Sequence, residues 1–157
     1  MQTAVYQQRA EEVMSRDVVS VHAQDTIQDA LMLMVENRVS ALPVVDQNNR
    51  CIGIVSSSDL VELTKDLEDE VRSLDEDTPM ALWLVKSLVT DRTHEKIVDV
   101  MSTDVESVRP ETLIPHVAAN MLRNRVHRLP VVDNNSHLVG IISTMDIIGA
   151  FADSAYG

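Results

Sequence analysis

Apolar residues recur along the chain at two periods. Ile27, Ala30, Leu31, Met34 and Val35 fall at i, i+3, i+4, i+7 and i+8, one face of an α-helix. Ile114, Val117, Ala118, Met121 and Leu122 draw the same face again. Thr26 and Thr112 stand ahead of these stretches as helix caps, and Pro115 lies in a first turn, where its missing N–H is tolerated. A short β-like run precedes each helix, at 18–21 and 105–108. After each helix come two nearly continuous apolar runs. In the first copy these are 42–45 and 51–55, flanking the polar cluster 46–49; in the second copy Asp133-Asn134-Asn135-Ser136 fills the turn. Such runs predict strands buried on both faces. A second helix is predicted after Ser56 and after Ser143. The order is β-α-β-β-α, twice.

The two copies are a true tandem repeat. Aligning 13–60 with 100–147 needs no gap and matches 22 of 48 positions. Val13-Met14-Ser15 returns as Val100-Met101-Ser102, and Leu42-Pro43-Val44-Val45-Asp46 as Leu129-Pro130-Val131-Val132-Asp133. Gly53-Ile54-Val55-Ser56 returns as Gly140-Ile141-Ile142-Ser143. Neither copy has enough apolar residues for a core of its own, so the two are expected to pack as a pseudo-twofold α/β (α+β) module. The divisions expected are an N-terminal segment 1–12, repeats 13–66 and 97–157, and an acidic, helical insert 67–96. Acidic residues crowd 61–78. Thr78-Pro79 then signals a helix start, and the following stretch 80–89 is apolar nearly all round and holds the only tryptophan, Trp83. That helix either packs on its own module or makes a dimer or partner contact.

Composition narrows the classes. The formal net charge of −12, with no basic stripe, argues against nucleic acid and against an anionic membrane surface. No apolar stretch approaches the roughly 20 residues that span a bilayer. A single cysteine, Cys51, fits a reducing compartment, and the first residues lack a signal-peptide pattern. The expectation is a cytoplasmic protein. No Gly-rich phosphate loop occurs, and the five histidines lack metal-ligand spacing. No catalytic constellation is legible, so no enzyme and no metal is expected.

The chemistry concentrates where an apolar strand opens into a helix, at Ser56-Ser57-Ser58-Asp59 and Ser143-Thr144-Met145-Asp146. A helix N-terminus offers free N–H groups and partial positive charge, which suits a phosphate. A cap hydroxyl can bond that phosphate, and a carboxylate one turn in can accept both hydroxyls of a ribose. The same Ser-x-x-Asp pattern also makes a capping box, and one group can serve both purposes. Gly53 and Gly140 mark a bulge or a close backbone approach, and Pro43 and Pro130 mark an edge or irregular strand.

The ordered set of Val-Met-Ser, Leu-Pro-Val-Val-Asp and Gly-hydrophobic-x-Ser-x-x-Asp, present twice, resembles the cystathionine-β-synthase (CBS) domain family over about 13–66 and 97–153. The resemblance implies clefts between the repeats that take AMP, ADP, ATP or S-adenosylmethionine. It assigns phosphate and ribose contacts to Ser56 and Asp59, and to Ser143 and Asp146. Candidate contacts around them are Val19, Ser20, Ala41 and Pro43 in the first copy, and Glu106, Ser107, Arg128 and Pro130 in the second. Glu106 replaces Val19, Arg128 replaces Ala41 and His127 replaces Ser40, so the two sites are unequal. The resemblance also implies a homodimer and a protein target regulated in trans. The competing expectation is a ligand-free dimerisation or interaction module whose Ser and Asp residues are only caps.

Overall fold

A computed structural model describes residues 4–62 and 94–156, with the side chains of 61, 62 and 156 excepted. The acidic run beyond Glu62 and the apolar stretch with Trp83 lie outside these residues. In chain order the elements are α1 (Ala10–Val13), β1 (Val21–His22), α2 (Ile27–Asn37), β2 (Ala41–Val45), β3 (Cys51–Ser56) and α3 (Ser57–Glu62). Then follow α4 (Ile114–Asn124), β4 (Arg128–Val132), β5 (Leu138–Ser143) and α5 (Thr144–Tyr156). The expected mixture of strands and helices is present. The chain divides into two compact units. One comprises Val19–Asp46 and Ile52–Asp104, and is called here the Ser56 unit. The other comprises Met1–Val18, Gln47–Cys51 and Val105–Gly157, the Ser143 unit.

In the Ser56 unit β2 is the middle strand of β1-β2-β3, with β1 parallel to it at Val21↔Val44 and His22↔Val45. Four of the five β2 residues are buried, as the unbroken apolar run predicts. α2 covers the sheet with Ile27, Ala30, Leu31 and Met34. Thr26 caps it by a reciprocal box. Its Oγ1 accepts the Asp29 N–H at 3.2 Å, and Asp29 Oδ2 accepts the Thr26 N–H at 2.9 Å.

The Ser143 unit repeats the pattern. α4 buries Ile114, Val117 and Met121 against Leu129, Val131 and Ile142 of the antiparallel β4–β5 pair. Backbone irregularities recur at matching positions too. Arg38 and Arg125, which end α2 and α4, have φ of 53° and 54°. Asn49 and Ser136, in the β2–β3 and β4–β5 turns, have 62° and 66°. Left-handed non-glycine residues are uncommon, so their return at equivalent places marks a shared backbone path.

Several expectations shift. Residues 18–20 are not strand, and only Val108 of 105–108 makes a bridge, to Val131. Parallel pairing begins only where Val44 offers a partner. Thr112 does not cap α4, whose N-cap is Leu113, the equivalent of Thr26. Its hydroxyl instead accepts the Arg109 N–H at 3.0 Å, closing the preceding turn. Val35 and Leu122 are exposed, 52% and 80%. Each lies about 80° round the helix from the first residue of its face, at the margin of the buried stripe. Pro43 and Pro130 are buried rather than at an edge. β4 is flanked by β5 and by Val108, whose N–H donates to the Pro130 carbonyl at 3.0 Å, and its register slips between Val131 and Val132.

The compact unit and the sequence repeat are not the same division. Each unit takes its leading segment from the other copy. In the Ser143 unit Ser15 pairs with Ile141, and the N–H of Ile114 at the start of α4 donates to Gln8. In the Ser56 unit Ser102 pairs with Ile54, and the N–H of Ile27 donates to Glu95. The recurring Met and Gly explain each other. The Met14 side chain fills the space where Gly140 would carry a Cβ, and Met101 does the same over Gly53. These glycines mark a close approach, as the sequence suggests.

Candidate ligand sites at the two helix starts

Each unit gathers one full set of the candidate residues. Val19, Ser20, Ala41, Pro43, Ser56 and Asp59 fall in the Ser56 unit. Glu106, Ser107, Arg128, Pro130, Ser143 and Asp146 fall in the Ser143 unit.

At the head of α3, Ser56 Oγ accepts the Asp59 N–H at 3.2 Å, and Asp59 Oδ2 accepts the Ser56 N–H at 2.9 Å. At the head of α5, Ser143 Oγ accepts the Asp146 N–H at 3.1 Å, and Asp146 Oδ2 accepts the Ser143 N–H at 2.8 Å. The capping box is therefore real at both helices, with Asp at N3 in place of Glu or Gln. Among the described residues Oδ1 of each aspartate takes no hydrogen bond. All four side chains are half-buried, which holds them in place yet leaves an approach. One further backbone bond ties the first residue of each helix to the residue that precedes β2 or β4. The Ser57 N–H donates to the Ser40 carbonyl at 2.8 Å, and the Thr144 N–H to the His127 carbonyl at 2.9 Å. Two of the first donors of α5 are thus satisfied internally. A phosphate there would depend on hydroxyls and cations more than on the helix dipole.

Cations differ between the sites. Arg128 opens β4 directly across the ladder from Ser143 and is exposed, as is His127 beside it. Ala41 and Ser40 hold those places in the Ser56 unit. Glu106 is exposed, and Ser107 and Ser20 are half-buried. Val19 is half-buried against the core of its unit. Pro43 and Pro130 are buried within the strands that begin with Ala41 and Arg128.

The leading segments are the part that sequence reasoning missed. Ser15 and Ser102 pair with Ile141 and Ile54, two residues before the cap serines. Repetition of Val-Met-Ser and of the strand glycine at one spacing was the available signal. Their contact across the chain was not. In the Ser143 unit a cleft of about 440 Å³ opens beside Asp146 and runs along α5 and α1. Among the described residues no cluster of metal ligands occurs, and no helix is long and apolar enough to cross a membrane.

Comparison with known proteins agrees with this geometry. The family model described as "CBS domain" matches residues 10–66 and 97–153. The chain is 31% identical over 140 residues to inosine-5'-monophosphate dehydrogenase of Methanocaldococcus jannaschii, covering 89% of this chain and 23% of that protein. It is 32% identical over 142 residues to 5'-AMP-activated protein kinase subunit gamma-3 of Sus scrofa, covering 90% of this chain and 25% of the relative. The chain thus spans about a quarter of each of these two curated relatives. The crystal structure of CBSX2 in complex with AMP, 26% identical, aligns with a TM-score of 0.71 over 92% of this chain and 96% of that one. With the family model covering both copies of the repeat, and the fold shared with that CBS-pair structure, this chain belongs to the CBS domain family.

Proposed function

We propose that the chain is a regulatory module that binds an adenine nucleotide at its helix starts, catalyses no reaction and signals to a protein partner in trans. The observation that carries this reading is the duplicated Ser–Asp pair. Each unit brings it together independently at the end of a glycine-containing strand, with one carboxylate oxygen left over. That oxygen and its neighbour suit the two hydroxyls of a ribose. The Ser hydroxyl suits the phosphate, and residues around Val19 and Ala41 suit the adenine. The likeness to CBSX2, solved with AMP, supports the same ligand class. ADP, ATP and S-adenosylmethionine share the adenosine part and belong to the same proposal.

In the Ser143 unit Arg128 is placed to meet a phosphate by a charge-assisted contact of the kind guanidinium groups make. The cleft along α5 is lined by Glu12, Asp146 and Asp153, so the phosphate belongs at the Arg128 end and not there. The homodimer inferred from the family resemblance belongs to the same reading, with the stretch around Trp83 as the proposed contact. Trp83→Ala should then lower the mass measured in solution. A cytoplasmic location accompanies these proposals.

A second reading has one observation in its favour. Both capping boxes are complete without a ligand, as a ligand-free interaction module requires. Isothermal titration with AMP, ATP, S-adenosylmethionine and NAD separates the two. Heat from at least one, lost in Asp59→Ala or Asp146→Ala, is the expected result. Silence from all four would leave only the interaction module.

A further inference from the structure

The chain holds eight methionines, of which Met1 and Met80 lie outside the described residues. The others fall into three settings. Met32 and Met145 are 52% and 69% exposed on helix surfaces, where a change in polarity disturbs no packing within the unit. Met34 and Met121 are 4% exposed and sealed in the two cores. Met14 and Met101 are half-buried, so each is packed and reachable at once. Each also sits on strand backbone left bare by a glycine. In both units the methionine sulfur is the atom nearest the place where Gly140 or Gly53 lacks a Cβ. The residue after each methionine holds the leading segment to its strand by two backbone hydrogen bonds. Ser15 and Ile141 exchange a pair at 2.9 Å, and Ser102 and Ile54 exchange a pair at 2.9 Å. The cap serines Ser143 and Ser56 follow two residues after those isoleucines.

We propose that Met14 and Met101 are oxidation sites through which peroxide loosens the leading segments. A lone pair on sulfur attacks one oxygen of hydrogen peroxide, and the O–O bond breaks. Sulfur loses two electrons and the peroxide gains them, giving a protonated sulfoxide and hydroxide. The proton then passes to the hydroxide, which leaves as water. The product is polar where the thioether was apolar, and it needs room for one more oxygen. The structure supplies neither room nor donors. The methionine already fills the space that the glycine leaves open. The N–H groups of the bridge beside it are already given to carbonyls. The new oxygen is accommodated only by withdrawing the segment, which weakens the bridge. Two thiols return the sulfoxide to the thioether, becoming a disulfide and releasing water, so the change is reversible. The proposal rests on packing and stands apart from nucleotide binding.

The test treats the full chain with hydrogen peroxide, maps each methionine by mass spectrometry, and follows thermal melting and amide hydrogen exchange. Oxidation at Met14 and Met101 should lower the melting temperature by about 5 °C. It should also speed exchange at the Ser15, Ile54, Ser102 and Ile141 amides by about tenfold or more. Met14→Leu combined with Met101→Leu keeps apolar side chains of similar volume that peroxide does not oxidise. Treated alike, that variant should hold its own melting temperature within about 1 °C. Met32→Leu combined with Met145→Leu should lose as much as the wild type, and it carries the test if the first pair folds poorly. Methionine sulfoxide reductase with a dithiol should restore the untreated curve. Three results would overturn the proposal. One is Met14 and Met101 staying reduced once Met32 and Met145 are fully oxidised. Another is an equal fall in melting temperature when the Met14→Leu, Met101→Leu variant is treated. The third is a fall that the reductase does not reverse, which would assign it to Cys51.

Discussion

The two strand glycines occupy equivalent places but not equivalent surroundings. A Cβ on Gly53 would lie 2.9 Å from the Ser102 backbone carbonyl oxygen as well as against the Met101 side chain. The three atoms nearest a Cβ on Gly140 all belong to Met14, a flexible side chain. Gly53→Ala should therefore lower stability by about 1–3 kcal/mol, in the range of overpacking, and Gly140→Ala by clearly less. Urea melts of the two variants compare them directly, and equal losses would contradict the assignment. Arg128 poses a second question at this scale. If it meets a phosphate, Arg128→Ala should reduce AMP affinity in the Ser143 unit by about tenfold and flatten its salt dependence. Titration at two ionic strengths reads both effects.

At the scale of elements, local pattern and observed structure agree except where a distant partner intervenes. α2 has a working cap, so Thr26→Ala should cost about 1 kcal/mol in thermal or urea unfolding. Thr112→Ala removes a turn bond instead of a helix cap, and its effect should be smaller. The β4–β5 turn carries a pH-dependent contribution. Desolvation pushes the Asp133 carboxyl up, but the backbone N–H groups of His137 and Asn135 and the imidazole of His137 outweigh it and hold the carboxyl below its usual range. His137 Nδ1 lies 3.3 Å from Asp133 Oδ2. A carboxylate with a lowered folded pKa stabilises the fold above its unfolded value, and that contribution disappears as pH falls through the folded one. The melting-temperature gap between wild type and Asp133→Ala should therefore be full near neutral pH and shrink below about pH 4.

For the whole molecule, the proposed nucleotide reading gives two candidate ligand positions per chain, one residue set in each unit, with unequal electrostatics. Titration with AMP should resolve two classes, of which Asp146→Ala removes the more salt-sensitive one. The sequence by itself determined the tandem repeat, the helices and strands with most of their bounds, the capping pairs at Ser56–Asp59 and Ser143–Asp146, and the inequality of Ala41 and Arg128. All of these rest on periodicity and near-neighbour chemistry, which a few consecutive residues encode. The tertiary structure alone decided which leading segment closes which unit. Pairing of Ser15 with Ile141 and of Ser102 with Ile54 joins residues far apart in the chain, and no local propensity records such a choice. It also decided that Thr112 closes a turn, that Pro130 lies inside the sheet, and that α5 keeps Met145, Ile148 and Phe151 exposed. Each of these depends on what lies across from a residue in space, and apolar periodicity alone does not distinguish a face that meets its own core from one that does not.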